Sequence, residues 1–263
     1  MTVPYTTLEL DRRGDVDWLT LNRPETMNAM NPAMVAELGH YFTALETDRG
    51  VRVVVLRGRG RSFCSGLDLK EIGARLEGLT GERVYPEQRA LSRLIVAMRR
   101  CPQPIVCLLQ GSASGGGFAL ALASDIRYAT PDARMNASFI QVGLSGCDVG
   151  VSYHLPRLVG ASVAAELLMT GRFLSAERAR ELGLVSAVAE ADAIEATASQ
   201  LVAELLRANP LGLALTKQGL QASLSAATLE AAVEVEDRQQ AMLANLPDFR
   251  ARVRAFLQKF SSS

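Results

Sequence analysis

Histidine is almost missing from this chain, which carries only His40 and His154. Cysteine is sparse too: Cys64, Cys101, Cys107 and Cys147 are scattered, and none forms a Cys-x-x-Cys pair. Together these exclude a zinc set of ordinary spacing. The thiols read as buried and reduced, as in a cytosolic protein. Net charge is absent, with 28 Lys plus Arg against 28 Asp plus Glu. No nucleic acid or anionic membrane is therefore demanded as partner, though a local basic cluster remains compatible with a small anionic ligand. No apolar run reaches the roughly 18 residues of a membrane helix. The stretch from Met1 to Asp15 has no apolar signal core, so the expected location is cytoplasmic. Internal repeats, low-complexity stretches and a Gly-x-Gly-x-x-Gly fingerprint are also lacking.

What is present is a chain of 263 residues, 48% hydrophobic, long enough for one large core or a core with a helical appendage. Thr6–Asp11 and Val16–Asn22 read as strands joined through Arg13-Gly14-Asp15. Asn31-Pro32 opens a helix as N-cap and first helical residue, and Met34, Leu38, Tyr41, Phe42 and Leu45 keep helical spacing. Val51–Leu56, Ile105–Leu109 and Ile126–Ala129 are short apolar runs of the kind found in buried parallel strands. Gly58–Gly66 reads as a loop, Leu67–Ile72 as the start of a short helix, and Ala74–Pro86 as a mobile surface loop. Leu91, Leu94, Ile95 and Met98 mark a helix ended by Cys101-Pro102, and Gly115-Gly116-Gly117 opens another through Ser124. Strands alternating with helices imply an α/β fold with mostly parallel pairing. From about Ala161 the pattern is almost wholly helical, a region suited to oligomer contacts.

Four segments carry a resemblance. They are Leu21-Asn22-Arg23-Pro24-Glu25 with Asn28-Ala29; Ser62-Phe63-Cys64-Ser65-Gly66-Leu67-Asp68-Leu69-Lys70-Glu71; Pro104-Ile105-Val106 through Gly111 to Gly115-Gly116-Gly117 and Asp125; and Arg172 to Val185. In this order they resemble the crotonase superfamily, the enoyl-CoA hydratase/isomerase family, over essentially the whole chain. The resemblance implies a core of ββα units wound as a spiral over residues 1–190 and a C-terminal helical region over 191–263. It also implies a homotrimer or dimer of trimers. The substrate would be an acyl-CoA thioester, with coenzyme A entering as part of the substrate and no permanent cofactor. The backbone N–H groups of Leu67 and Gly116 would hold the thioester oxygen. The physical chemistry agrees: a thioester reacting at its α-carbon passes through an enolate, two N–H groups stabilise that charge, and a helix N-terminus supplies such donors. Close strand–helix packing is the competing reading of the three glycines. Arg23 and Lys70 match positions near the family's nucleotide cleft, with Ser65 and Asp68 beside them; solvated surface charge is the alternative for the cations, and hydrogen bonding to nearby backbone the alternative for Asp68. Lys259-Phe260 resembles the end of the family's last helix, which reaches a neighbouring subunit's CoA.

The chain departs from the family where acid/base chemistry is done. The two positions that hold glutamate in enoyl-CoA hydratases are Ala119 and Phe139 here. Adding water across a double bond needs a base for the water and an acid for the α-carbon, and neither residue transfers protons. Asp148, in an Asp-Val-Gly stretch similar to that of dienoyl-CoA isomerases, is the nearest carboxylate candidate. A 4-chlorobenzoyl-CoA dehalogenase places its aspartate similarly, but its histidine partner falls at Ser92. The competing role for Asp148 is N-cap of the helix through Leu155. Phe118, Phe139, Leu144 and Tyr153 read equally as an acyl pocket or as core; His154 is a further pocket candidate, and Glu82 and Glu87 are placed to swing in from the loop. Double-bond isomerisation is thus favoured over hydration. The alternatives are a CoA-thioester hydrolase, although Gly111-Ser112-Ala113-Ser114-Gly115 is not a nucleophile elbow, and a non-catalytic acyl-CoA binder. Hydration of crotonyl-CoA by the pure protein is expected to be slow or absent; a rapid gain of the mass of water would overturn this.

Overall fold

The computed structural model describes residues 5–261, with side chains through residue 258. Ser262-Ser263 and the side chains of Lys259-Phe260 lie outside the described residues. Among the described residues no helix is long and apolar enough to cross a membrane.

The first compact unit runs through Ala203. Strands β1 (Leu8–Arg13) and β2 (Val16–Leu21) form an antiparallel hairpin whose turn uses Gly14 at φ 60°. Every residue of β2 is buried, including Asp17, whose carboxylate accepts from Arg12 Nε at 2.7 Å and from the Tyr41 hydroxyl at 2.9 Å. A buried charge needs such partners. Helix α1 (Pro32–Ala44) is capped by Asn31, whose side chain accepts from the Met34 N–H at 2.9 Å. Strands β3 (Val53–Gly58), β4 (Ile105–Leu109), β6 (Ile126–Ala129) and β9 (Ala187–Val188) extend the sheet in parallel, in the order β1-β2-β3-β4-β6-β9.

A second, three-stranded sheet of β5 (Ser112–Ser114), β7 (Arg134–Asn136) and β8 (Leu174–Ser175) is the part of the topology that the sequence pattern does not announce. Its strands are two or three residues long, too short to show an alternation. β4 in the large sheet is followed by β5 in the small one and then by α4 (Gly116–Ala123); β6 is followed by β7 in the same way. These repeated steps are the expected spiral. The segment after β3 joins it, because Cys64 pairs in parallel with Ala113 of β5.

The expected mobile loop at Ala74–Pro86 is mostly helical. After the short α2 (Leu69–Gly73) and a tight turn at Leu76–Gly78, α3 runs from Gly81 to Arg100 with Pro86 inside it. Gly and Pro disfavour a helix locally, and Pro86 removes one backbone bond. Burial of Leu91, Leu94, Ile95 and Met98 further along outweighs that cost, and the preceding turn is tied down by a bidentate Arg75–Glu87 pair at 2.6 Å. The unit continues through α5 (Val151–Val159), α6 (Ala161–Thr170), α7 (Ala176–Glu181) and most of α8 (Ile194–Arg207). Cys64, Cys101 and Cys107 are buried as expected; Cys147 is exposed, which corrects the uniform reading of the thiols.

The second unit, Glu204–Ser263, comprises the end of α8 with α9 (Pro210–Ser223), α10 (Leu229–Ala244) and α11 (Pro247–Ser261). Its helix α10 buries no residue fully, and Leu224, Leu229, Phe249 and Phe256 are exposed.

Glycine decides how closely the turns of the spiral stack. A Cβ on Gly117 would lie 2.3 Å from the Cys64 carbonyl oxygen and 2.7 Å from Cys64 Cβ, contacts that only a backbone shift relieves. Gly117→Ala is expected to destabilise the protein by about 1–3 kcal/mol, read as a lowered midpoint in thermal or urea unfolding; an unchanged midpoint would mean the two segments are not held at this separation.

Candidate active site

The glycine triplet stands where β5 meets α4. Gly115 has φ 51° and ψ −116°, a conformation essentially restricted to glycine, and its N–H donates to the Asn136 carbonyl at 2.9 Å. Gly116 is the first residue of α4, so its N–H has no intrahelical acceptor. A Cβ there would meet Met30 Cε at 2.1 Å. The close-packing reading of these glycines therefore holds, and it is also what brings the helix terminus to the facing segment.

That segment is Gly66-Leu67-Asp68. Met30 brackets it: the Met30 N–H donates to the Gly66 carbonyl at 2.7 Å and the Asp68 N–H donates to the Met30 carbonyl at 3.0 Å. In parallel pairing of this kind the N–H of the middle residue points the other way, so Leu67 N–H faces away from Met30. On the other side lies α4: a Cβ on Gly66, at φ 97°, would be 2.9 Å from the Ser114 oxygen and 3.7 Å from Gly116 N. Among the described residues neither the Leu67 nor the Gly116 N–H has a partner. Both donors are open: the Gly116 N–H at the positive end of α4, and the Leu67 N–H in the facing segment.

Asp68 caps α2, its side chain accepting from the Glu71 N–H at 3.3 Å, and pairs with Arg23 at 3.0 Å. Burial alone would raise the Asp68 carboxyl, but the Arg23 hydrogen bond, the Glu71 N–H and the Arg23 charge outweigh it and hold the carboxyl below its ordinary value. Arg23 also donates to the Ala29 carbonyl. Its charge is thus partly committed inside the protein. Lys70 is exposed on α2. Ser65 donates its hydroxyl to the Thr26 carbonyl at 3.3 Å.

Ala119 and Phe139 are both buried. All eight residues of α4 are buried and none ionises. Phe139 lies in a short helical turn, Ser138–Val142, and its ring edge would be 3.5 Å from a Cβ on Gly115. The wall beside the paired N–H groups is apolar at both substituted positions.

Asp148 is not the cap of α5. That position belongs to Gly150, at φ 82°, two residues later. The Asp148 carboxylate instead accepts, through Oδ1, from the Val149 N–H at 2.7 Å and from Gln88 Nε2 of α3. Val149 has φ 36°, rare for a β-branched residue and costing on the order of 1–3 kcal/mol. Val149 and Val151 are buried, but Leu144 is exposed and does not shield Asp148. α3 relates this carboxylate to the N–H pair. Leu91 reaches within 4.0 Å of a Cβ on Gly116, and Gln88, three residues earlier, lies on the same helix face. The carboxylate and the open donors are therefore served by neighbouring positions on one helix.

Tyr153 is exposed and lies under the Arg157 guanidinium, 3.8 Å from the ring centre, with the His154 ring edge-on at 5.2 Å. Glu87 is engaged by Arg75, whose hydrogen bond lowers its carboxyl, and so is not poised to swing inward. Gln88 and Met30 were missed from sequence, as was the N–H contact that Val149 makes to Asp148. Gln88 is one turn before the apolar spacing that begins at Leu91, and a helix start placed there hides it. Among the described residues no group of three or more His, Cys, Asp and Glu is placed to hold a metal ion.

A spiral of strand–strand–helix steps that ends one strand on a glycine-opened helix is the crotonase fold. The family model described as enoyl-CoA hydratase/isomerase matches residues 11–262. A protein of Mycobacterium leprae called a probable enoyl-CoA hydratase is 39% identical over 235 residues, 88% of this chain and 80% of that one. The 1,2-epoxyphenylacetyl-CoA isomerase of Escherichia coli is 35% identical over 243 residues, 92% of each chain. The crystal structure of an enoyl-CoA hydratase from Mycobacterium smegmatis superposes with a TM-score of 0.90 at 34% identity, covering 96% of each chain. The chain belongs to the enoyl-CoA hydratase/isomerase family and is an enzyme of that family.

His154 generates a prediction of its own. Burial, then the charges of Arg99, Arg127 and Arg157, push its imidazole down from 6.5 to about 4. Between these values the unfolded chain binds a proton that the folded one refuses, so this contribution to stability is full above pH 6.5 and is lost as pH falls towards about 4. The stability of the wild type relative to His154→Gln is expected to shrink as pH is lowered through that window; a pH-independent difference in unfolding midpoints would refute it.

Proposed function

We propose that this enzyme moves a double bond within an acyl-CoA thioester, with Leu67 and Gly116 N–H groups on the thioester oxygen and Asp148 as the proton-transfer group. The observation that carries the reading is the pairing of two open backbone donors with one carboxylate reached through the same face of α3, while both hydratase glutamate positions are apolar.

The chemistry follows from counting groups. Hydration adds two parts of water to two carbons and calls for a base and an acid together. Isomerisation returns to one carbon a proton taken from another, so one carboxylate serves as base and then as acid. Charge in the intermediate gathers on the thioester oxygen. Two backbone donors at a helix terminus stabilise it, each such donor being worth about 2.7–4 kcal/mol in comparable sites. The relative from Escherichia coli is named an isomerase of an epoxyphenylacetyl-CoA, which supports isomerisation of a CoA thioester in general and leaves the double-bond shift to rest on the residues. Coenzyme A would enter with the substrate. Lys70 is exposed where a phosphate could meet it, whereas Arg23 acts first on Asp68. The exposed apolar side chains of the second unit support a homotrimer or dimer of trimers.

The test is a panel of enoyl-, dienoyl- and saturated acyl-CoA thioesters read by mass and ultraviolet absorbance. Unchanged mass with shifted absorbance is the expected result; free CoA would mean a hydrolase, and no change a binder. Asp148→Asn keeps the shape and still accepts from Gln88 and Val149, but it is no base. Its turnover is expected to fall by about 10²-fold or more, with the unfolding midpoint and CoA-thioester affinity little changed. Normal turnover in this variant would reduce Asp148 to a turn residue.

A further inference from the structure

We propose that Gln88 is a positioning residue which, with the Val149 N–H, pins Oδ1 of Asp148 so that Oδ2 alone carries the proton. This rests on the reading of Asp148 as the proton-transfer group.

Both hydrogen bonds to the Asp148 side chain end on the same oxygen. Val149 N–H reaches Oδ1 at 2.7 Å, and the Gln88 carboxamide donates to it from α3. Among the described residues Oδ2 accepts nothing. The two donors come from different sources: one is the carboxylate's own turn, held at the positive φ of Val149, and the other is a separate helix. Two fixed points on one oxygen, with the Cβ as a third, define the plane of the carboxylate and hence the direction in which the lone pairs of Oδ2 point.

Helix α3 is suited to this task because the residue one turn further on, Leu91, packs at Gly116. A single rigid face thereby sets the carboxylate relative to the N–H pair. The proton balance is closed. Oδ2 takes a proton from one carbon of the bound enoyl thioester, and the electron pair left behind is delocalised to the thioester oxygen. The neutral carboxylic acid, with its proton on Oδ2, then returns that proton to the other end of the allylic system and the carboxylate is restored. No water, oxidant or second acid takes part.

The probe is 3-hexenoyl-CoA, converted to the conjugated 2-hexenoyl thioester and followed by absorbance, with the two isomers separated and quantified by chromatography for slow variants. Gln88→Leu keeps a good helix former and removes the donor. It is expected to lower kcat by about 10- to 100-fold, because a misplacement near 1 Å costs up to about 10²-fold, while KM stays within about twofold. Gln88→Glu, of the same shape but without the donor in its ionised form, is expected to fall at least as far. In an Asp148→Asn background Gln88→Leu is expected to cost nothing further, since Gln88 acts only through the carboxylate. Wild-type kcat in both Gln88 variants, or an equal loss in the two backgrounds, overturns the assignment. If Asp148→Asn itself turns over normally, or the wild type converts no thioester of the panel, it is the base that is wrong and Gln88 falls with it. An inactive Asp148→Asn beside fully active Gln88 variants removes this inference alone.

Discussion

There is no room for a side chain between the glycine triplet and the segment that faces it. The Cys64 carbonyl oxygen would lie 2.3 Å from a Cβ on Gly117, and Met30 Cε 2.1 Å from one on Gly116. The approach of α4 to the Cys64–Asp68 stretch depends on that lack of side chains. A larger residue would push the start of α4 away from Met30 and Cys64. The same contact supplies core packing, since Met30 and Phe118 are buried on either side of it. Stability and site geometry are thus the same interaction seen from two directions. The glycines that open α4 are among the most constrained positions in the fold.

The apolar character of Ala119 and Phe139 has a consequence for charge. A carboxylate introduced into the fully buried α4 would need partners to offset the loss of water, and none of the eight residues of that helix offers one. Asp148 sits instead on an irregular turn, half-buried, where Gln88 and the Val149 N–H both donate to its Oδ1. Such a turn holds a carboxylate beside α5 without placing a charge in the core. The strain at Val149 fits this placement, because backbone outliers persist where surrounding structure over-determines them.

Much of this was legible in the sequence. The hairpin at Gly14, the cap at Asn31, the three buried parallel strands and the glycine-opened helix could be read because each has a local cause: a turn residue, a cap, a β-branched run, a forced φ. What was hidden had non-local causes. β5, β7 and β8 are too short to carry a pattern and exist only because they pair with one another. The start of α3 was obscured by Gly81 and Pro86, whose local preference is overruled by burial ten residues further on. That error concealed Gln88, and with it the partner of Asp148. The cap assigned to Asp148 failed for a related reason: two consecutive residues at positive φ, Val149 and Gly150, move the helix start beyond the reach of its side chain.

Arg23, matched by family position to the neighbourhood of the nucleotide cleft, has internal partners of its own. It donates to the Ala29 carbonyl and pairs with Asp68 at 3.0 Å, and between those two anchors runs the Met30 pairing that brackets Leu67. The guanidinium therefore ties Asp68, which follows Leu67, to Ala29, which precedes Met30. Its fork of fixed donors suits this double task in a way a lysine would not. Largely shielded from water, the ion pair is screened less by salt than an exposed one. A phosphate approaching Arg23 would have to compete with the carboxylate of Asp68, which also caps α2. Arg23 is thus held from two sides inside the protein, its charge balanced by the carboxylate that also caps α2.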